Sequence, residues 1–190
     1  MWLRNIGWIA CVVYSTIPSF WLMIHPYADY WRSRGRSPYR ILLPVWFAMW
    51  IVVGLLTAPW RRETLHTSPL FWTPAVLLFA TGIWLYIKSS KGFSAKQLGG
   101  LPELHRNHPQ QGLVKSGIRS HVRHPVYLAH LLEMVAWSMA TGLAVCYVLT
   151  AFAAATGTIM IRMEDAELEH RFGPDYIEYK QEVPALIPRL

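Results

Sequence analysis

The fold of this chain is decided by residues 123–165, RHPVYLAHLLEMVAWSMATGLAVCYVLTAFAAATGTIMIRMED. Between the polar groups at its two ends this stretch is mostly apolar, and Gly142 divides it into two halves. The pattern predicts a helical hairpin in a membrane, with both polar ends at one surface. Charged groups are costly close to hydrocarbon, so Arg123 and Glu164 at the ends of one hairpin indicate a functional site.

The composition of the whole chain predicts a membrane protein. Of its 190 residues 53% are hydrophobic and only 15% are charged, and the mean hydropathy is +0.23. A soluble domain of this length carries more charge. The net charge of +7 is compatible with nucleic-acid binding, but the basic residues lie between apolar spans. That placement favours membrane orientation, and we predict no nucleic-acid partner.

Five apolar spans predict an all-α integral membrane protein. They cover about 2–24, 41–58, 69–87, 125–142 and 143–161, and Pro18 is expected to kink the first. The last two, at about 17 residues each, reach roughly 25 Å, less than the ~30 Å hydrocarbon core. We divide the chain into three transmembrane helices in 1–88 and a catalytic region in 89–190. The catalytic region holds a loop, the hairpin 125–161 and a helical tail.

The positive charges predict the orientation. Fifteen of the 18 Lys and Arg residues fall in 25–40, 88–124 and 162–190, and three fall elsewhere. With five spans, the positive-inside rule places the N-terminus outside. The loop 88–124 and the tail are then cytoplasmic, and they are expected to close the site. In the tail, Gly173-Pro174 predicts the end of the fifth helix, and Tyr176 and Tyr179 would share one side of a short helix after it.

The start of the hairpin has a specific chemistry. Pro125 fits the first turn of a helix, because its missing N–H has no partner there in any case. The free N–H groups of that turn attract an anion, and Arg123 and His124 stand just before it. Taken singly, Arg123 could reach lipid phosphates and Tyr127 could belong to the aromatic belt of the membrane.

Five segments together resemble the isoprenylcysteine carboxyl methyltransferase family. They are GLVKSG at 112–117, VRHPVY at 122–127, EDAEL at 164–168, FGPDYIEY at 172–179 and VP at 183–184. Their order and spacing match over 96–188, whereas the first three spans match only in number and hydropathy. The resemblance implies a membrane enzyme that uses S-adenosylmethionine and is not built on a Rossmann sheet.

The resemblance also implies residue roles. It predicts Arg123 and Glu164 as catalytic residues, and Glu164 suits the ammonium or ribose hydroxyls of the cofactor. An alternative for Glu164 is an ion pair with Arg123 or Arg162 at the helix end. The cofactor-binding residues that it implies are Leu98, Val114, Gly117, His124, Tyr127 and Glu164.

The acceptor is predicted to be a lipophilic small molecule or prenylated substrate that reaches the site from the membrane lipids. His130 and Glu133 are three residues apart on the face that carries Tyr127, and with Arg162 they are our predicted substrate-binding residues. Both could instead be structural, bonded to each other or to another helix. An isoprenylcysteine-type carboxylate needs no general base. A phospholipid or other lipophilic amine would need one, and His130 or Glu133 could serve.

Other classes stay open at this point. The His residues do not have the spacing of a metal site, so we predict no metal. A fold-related membrane reductase that uses NADPH would need a pocket for the 2′-phosphate, for which Arg119 and Arg106 are candidates. A non-enzymatic membrane scaffold is the third alternative.

Overall fold

A computed structural model describes residues 2–34, 38–90 and 112–188, and these ranges are helical apart from turns and one isolated bridge between Thr64 and Leu143. The all-α class is therefore confirmed for the described residues. Their α-helices are α1 (Trp2–Ser15), α2 (Ile17–Leu22), α3 (Ala28–Ser33), α4 (Tyr39–Thr57), α5 (Trp72–Ser90), α6 (Pro125–Thr141), α7 (Ala144–Phe172) and α8 (Pro174–Glu182).

Four helical segments of the described chain are long and apolar enough to cross a membrane. They are Trp2–Ser33, Tyr39–Trp60, Pro69–Ser90 and Ala144–Phe172. These segments identify an integral membrane protein. The predicted fourth span is also a helix, α6, but its 17 residues give it a length of only about 25 Å. Five membrane crossings therefore stay a prediction.

The first span is broken between α1 and α2, as its proline predicts. Pro18 stands in the first turn of α2, where its missing N–H costs no helical hydrogen bond. Thr16 lies at the break, and its hydroxyl donates to the Val13 carbonyl at 2.7 Å. The indole N–H of Trp46 in α4 donates to the same hydroxyl at 2.9 Å. The kink is thereby fixed against a neighbouring helix.

The hairpin turns at Gly142, which adopts φ 66°. A Cβ atom there would lie 2.0 Å from the His66 carbonyl oxygen, so the turn requires glycine for space as well as for conformation. The Gly142 carbonyl accepts a hydrogen bond from the Leu65 N–H at 2.8 Å. The turn of the hairpin is therefore attached to the loop between α4 and α5.

The long helices run between two ends of the protein, and each end is held together by contacts of its own. At one end Trp8 of α1 donates to Thr57 of α4 at 3.0 Å, and the Gly142 turn packs on the loop after α4. At the other end, the start of α6 meets α7 near Glu164, and His25 joins them. Between the ends, α1, α6 and α7 share a core that includes Cys11, Met134, Cys146 and Leu149. The polar ends of the hairpin thus lie together.

Candidate active site

The tail of the chain pairs with the residues that precede α6. The Arg123 N–H donates to the Pro184 carbonyl at 2.9 Å, and the His124 N–H donates to the Ala185 carbonyl at 3.0 Å. The Arg123 guanidinium also donates to the carbonyls of Val183 and Lys180. These bonds hold the two side chains at the start of α6 over the end of the bundle.

Four charged groups meet beneath this tail, and we call Arg123, His124, Glu164 and Asp165 the ionic cluster. Arg123 Nη2 is 2.8 Å from Asp165 Oδ2, and His124 Nε2 is 3.0 Å from Asp165 Oδ1. The other ring nitrogen, His124 Nδ1, is 3.3 Å from Glu164 Oε2. Each side chain is at most 18% exposed. Two cations and two carboxylates balance each other, which is what burial of charge requires.

The two carboxylates decide the protonation of His124. Burial alone would lower the pKa of this imidazole, but the charge of Glu164 and the hydrogen bond to Asp165 raise it to about 9. His124 is therefore an imidazolium at neutral pH. As the residue that caps α6, it sits where a bound anion would otherwise be expected.

The short helix α8 brings two tyrosines to the ionic cluster. The Tyr176 hydroxyl donates to Asp165 Oδ1 at 2.5 Å, and the Tyr179 hydroxyl donates to the Arg119 carbonyl at 2.6 Å. Burial raises the pKa of Tyr179 to about 12, and burial with the Asp165 bond raises that of Tyr176 further. Both phenols are neutral donors. The two rings lie together on one side of α8, as the tail pattern predicts. Leu113 packs against them.

Glu164 lies at the centre of the site, between His25 from the N-terminal helices and His124 at the start of α6. Its Oε2 atom is buried, 3.3 Å from His124 Nδ1 and 3.9 Å from His25 Nε2, and it makes no hydrogen bond of good geometry among the described residues. The Tyr127 hydroxyl interacts with the same carboxylate, and the Tyr127 ring stacks on His124 with 5.6 Å between centroids. Trp21 stacks on His25 at 5.3 Å. The carboxylate therefore retains an enclosed acceptor atom.

His25 is a site residue that the sequence analysis missed. It stands before Pro26, at the end of the first span and far from Glu164 in the sequence. Neither of its ring nitrogens has a hydrogen-bond partner. A histidine at the end of an apolar span was the available signal, but its burial and its partner become known only from the fold.

Tyr127 also lines a cavity of about 120 Å³ between α1, α2, α6 and α7, which we call the membrane cavity. Its wall includes Tyr14, Tyr127, His130, Met134, Ala154 and Thr158. Ala154 and Thr158 are exposed on the outer surface of α7. The cavity therefore extends from Tyr127, which stacks on His124 of the ionic cluster, toward the exposed surface of α7.

The predicted site residues divide into three groups. Arg123, His124, Tyr127 and Glu164 come together, and Val114 and Gly117 lie in the segment leading to them. Gly117 has φ 66°, and no atom of the described residues lies within 4 Å of where its Cβ would be. Leu98 lies outside the described residues.

The predicted substrate residues are separated from one another. His130 lines the membrane cavity, but Glu133 does not, and it accepts a hydrogen bond from Tyr14 at 2.8 Å. Arg162 is exposed and lies about 200° around α7 from Glu164, so it does not join the ionic cluster. Substrate roles for Glu133 and Arg162 stay predictions. Among the described residues, no three His, Cys, Asp or Glu side chains form a group that could hold a metal ion.

Two comparisons place part of the chain among known proteins. Residues 103–170 match the isoprenylcysteine carboxyl methyltransferase (ICMT) family. The chain is also 40% identical over 79 residues to the cobalt-zinc-cadmium resistance protein CzcN of Cupriavidus metallidurans. That alignment covers 41% of this chain and 36% of the relative, so the chain matches about a third of the curated relative's length. Over residues 103–170 the predicted resemblance is confirmed, and this segment carries the pattern of the isoprenylcysteine carboxyl methyltransferase family.

Proposed function

We propose that this protein is an integral-membrane methyltransferase that moves a methyl group from S-adenosylmethionine to a lipophilic acceptor. The observation that carries the proposal is the position of Tyr127. This residue touches the ionic cluster through His124 and lines the membrane cavity on its other side. A polar methyl donor at the ionic cluster and an apolar acceptor in the cavity would therefore meet beside it.

The residues present fit the donor. The buried Oε2 atom of Glu164 has no good hydrogen bond, and the donor's ammonium or ribose hydroxyls are the groups that it would accept from. Among the described residues nothing lies within 4 Å of the missing Cβ of Gly117, which leaves room for a ligand against this exposed backbone. Val114 would supply an apolar contact for adenine, and we propose the same role for Leu98. When bound, S-adenosylmethionine supplies a methyl group on a positively charged sulfur.

The chain's own residues would bind, orient and exclude water. His124 and Arg123 neutralise Asp165 and fix Glu164 in place, so that the carboxylate is ready to bind before the ligand arrives. The apolar wall of the cavity keeps water away from the transferring methyl group. We propose that Glu164 acts by direct contact, and that Arg123 acts by holding the tail over it.

The family relationship makes an isoprenylcysteine-type carboxylate the first acceptor to test. A lipophilic amine, such as a phospholipid headgroup, is the second. A reductase that uses NADPH is less well supported, because the Arg119 guanidinium donates to the Ser89 carbonyl at 3.0 Å rather than standing ready for a phosphate.

Binding measurements test the proposal directly. Isothermal calorimetry on the detergent-solubilised protein should detect S-adenosylmethionine and not NADPH. Glu164→Gln should weaken binding at least tenfold, since a charged hydrogen bond contributes about 1.5–3 kcal/mol. The exposed Glu178→Gln on α8 is the matched control and should bind like wild type. Binding of NADPH alone would point to the reductase, and binding of neither would point to a scaffold.

We also propose that the ionic cluster lies on the cytoplasmic side, because the loops and tail at that end carry most of the basic residues. Topology reporters fused after Lys91 and after Leu190 should both report cytoplasm, and one fused after Glu63 should report the outside. Opposite results at Lys91 and Leu190 would mean that α6 does not cross the membrane.

A further inference from the structure

The membrane cavity is suited to a small and uncharged group. Its volume of about 120 Å³ is similar to that of an engineered protein cavity of ~150 Å³ that holds benzene. The described residues that line it include no Lys, Arg, Asp or Glu. Any longer chain attached to a bound head group would pass Ala154 and Thr158 and continue into the lipid.

One ionisable imidazole faces this cavity. The ring of His130 stands edge-on between Tyr14 and Tyr86, with centroids 5.2 and 5.1 Å away. Its Nδ1 atom is buried and makes no hydrogen bond of good geometry to the described residues, although the Val126 backbone interacts with the imidazole. The aromatic contacts fix the ring, and among the described residues His130 forms no hydrogen bond to a carboxylate. His130 makes no ion pair with the ionic cluster among the described residues, and Tyr127 stands between the two along α6.

Glu133 is not available for the same purpose. It is held away from the lining by the Tyr14 hydroxyl at 2.8 Å, and its side chain packs against Gly82 of α5. A Cβ atom on Gly82 would lie 2.7 Å from Glu133 Cγ, which shows how closely the carboxylate arm is enclosed. The structure thus separates two residues that their spacing alone had placed together.

We infer that the acceptor is a small, lipid-soluble, neutral O–H or S–H compound, a phenol or a thiol, and that His130 accepts its proton. The inference rests on the proposed methyltransferase function and narrows its acceptor. A carboxylate would enter the cavity as an anion with no lining cation, and Arg123 is already bonded to Asp165. An aliphatic amine, with an ordinary pKa of about 10.4, would enter as an unpaired cation. Phenols and thiols are neutral at pH 7 and need a base.

The step balances in atoms and charge. The acceptor oxygen or sulfur forms a bond to the methyl carbon while the bond from that carbon to the donor sulfur breaks, and its electron pair stays on the sulfur. The O–H or S–H proton passes to His130, which becomes an imidazolium. The positive charge that was on the sulfur is then on His130, which returns its proton to water after product release.

A matched acceptor series tests the inference. The compounds are para-hexylphenol, para-hexylbenzyl thiol, para-hexylbenzoate and para-hexylbenzylamine, which share one ring and one tail. The phenol or the thiol should be methylated at least about tenfold faster than the benzoate and the benzylamine. If the benzoate or benzylamine reacts as fast, the proposed function stands and this inference is wrong. Absence of S-adenosylmethionine binding would instead overturn the proposed function.

Variants of His130 separate proton transfer from packing. His130→Asn should lower kcat on para-hexylphenol about a hundredfold, the usual contribution of a general base. Its affinity for S-adenosylmethionine should stay within about twofold. On the more acidic para-nitrophenol the loss should shrink below about tenfold, because less proton transfer is needed. An equal loss on both phenols, or no loss, would overturn the role of His130. The exposed His170→Asn is the control.

Binding without the donor gives a readout that is independent of turnover. Para-hexylphenol should bind the wild-type protein, as measured by quenching of intrinsic fluorescence. Ala154→Phe should weaken this binding at least about tenfold by filling the mouth of the membrane cavity. Ala155→Phe adds the same ring at an exposed neighbouring position outside the lining and should bind normally. Equal affinities in the two variants would place the acceptor elsewhere.

Discussion

The Tyr127 ring lies on the His124 ring, with 5.6 Å between centroids and 20° between planes. Through this stack Tyr127 contacts the ionic cluster, and the same residue lines the membrane cavity. The stacked pair therefore separates a polar compartment from an apolar one. Changes at either ring are expected to alter how the two compartments are coupled.

Tyr127 is expected to contribute to donor binding in two ways. Tyr127→Phe keeps the stack and loses the hydroxyl that interacts with Glu164, so affinity for S-adenosylmethionine should fall by about 1 kcal/mol, or roughly fivefold. Tyr127→Ala also opens the site to the cavity and should cost tenfold or more. Calorimetry on both variants measures the difference. If Tyr127→Ala binds like wild type, Tyr127 is not part of the donor site.

The stability of the protein should fall as the pH rises above neutral. The pKa of His124 is raised from 6.5 to about 9 in the folded protein, so folding favours the protonated form. This contribution is complete below about pH 6.5 and is lost as the pH passes through about 9. The free energy of unfolding that protonated His124 contributes is on the order of 3 kcal/mol. Thermal unfolding in detergent from pH 6 to 9.5 measures it, and His124→Asn should have a flatter profile.

Asp165 is expected to be more important for stability than an ordinary surface carboxylate. It accepts from Arg123, His124 and Tyr176, and its side chain is 7% exposed. Asp165→Asn leaves Arg123 and His124 with less compensating charge, and removing one partner of a buried pair costs about 3–5 kcal/mol. Asp175→Asn, at an exposed position of α8, is the comparison. Similar unfolding temperatures for the two variants would contradict the ionic cluster as described.

Substituting alanine for glycine is expected to have different effects on stability at two positions in consecutive helices, Gly54 in α4 and Gly82 in α5. A Cβ atom at Gly82 would meet Glu133 Cγ at 2.7 Å and the Ala129 carbonyl oxygen at 3.1 Å. Gly82→Ala should therefore destabilise the packing of α5 on α6, by about 1–3 kcal/mol. Gly54 in α4 has nothing within 4 Å of the added atom, so Gly54→Ala should be neutral or stabilising. Thermal unfolding of the two variants distinguishes these outcomes.

The sequence was sufficient to predict the helices and the convergence of the hairpin ends. Apolar spans, Pro18, Pro125 and the Gly173-Pro174 pair predict where helices begin, kink and end, and these features are local. The pairing of Glu164 with the residues before Pro125 was also expected, because a hairpin brings its two ends together.

Contacts between distant segments could not be predicted in this way. Tyr14 and Glu133 lie 119 positions apart, and nothing in the local pattern of α6 indicates that the carboxylate is bonded to α1. Helical spacing placed His130 and Glu133 on one side, but three residues span about 300° of a helix, or 60° short of a full turn. That offset is enough to direct one side chain into a cavity and the other against α5. The attachment of His25 to Glu164 depends on the same long-range packing.

The pairing of the tail with the start of α6 has a consequence for how the protein is made. Val183, whose carbonyl accepts from the Arg123 guanidinium, follows Arg123 by 60 positions. The hairpin is therefore synthesised before the tail carbonyls that accept from Arg123. Until the tail docks, the Arg123 guanidinium keeps its ion pair with Asp165 but lacks the carbonyls of Lys180 and Val183. Docking of the tail is thus the step that completes the contacts of Arg123 and joins the last residues of the chain to the start of α6.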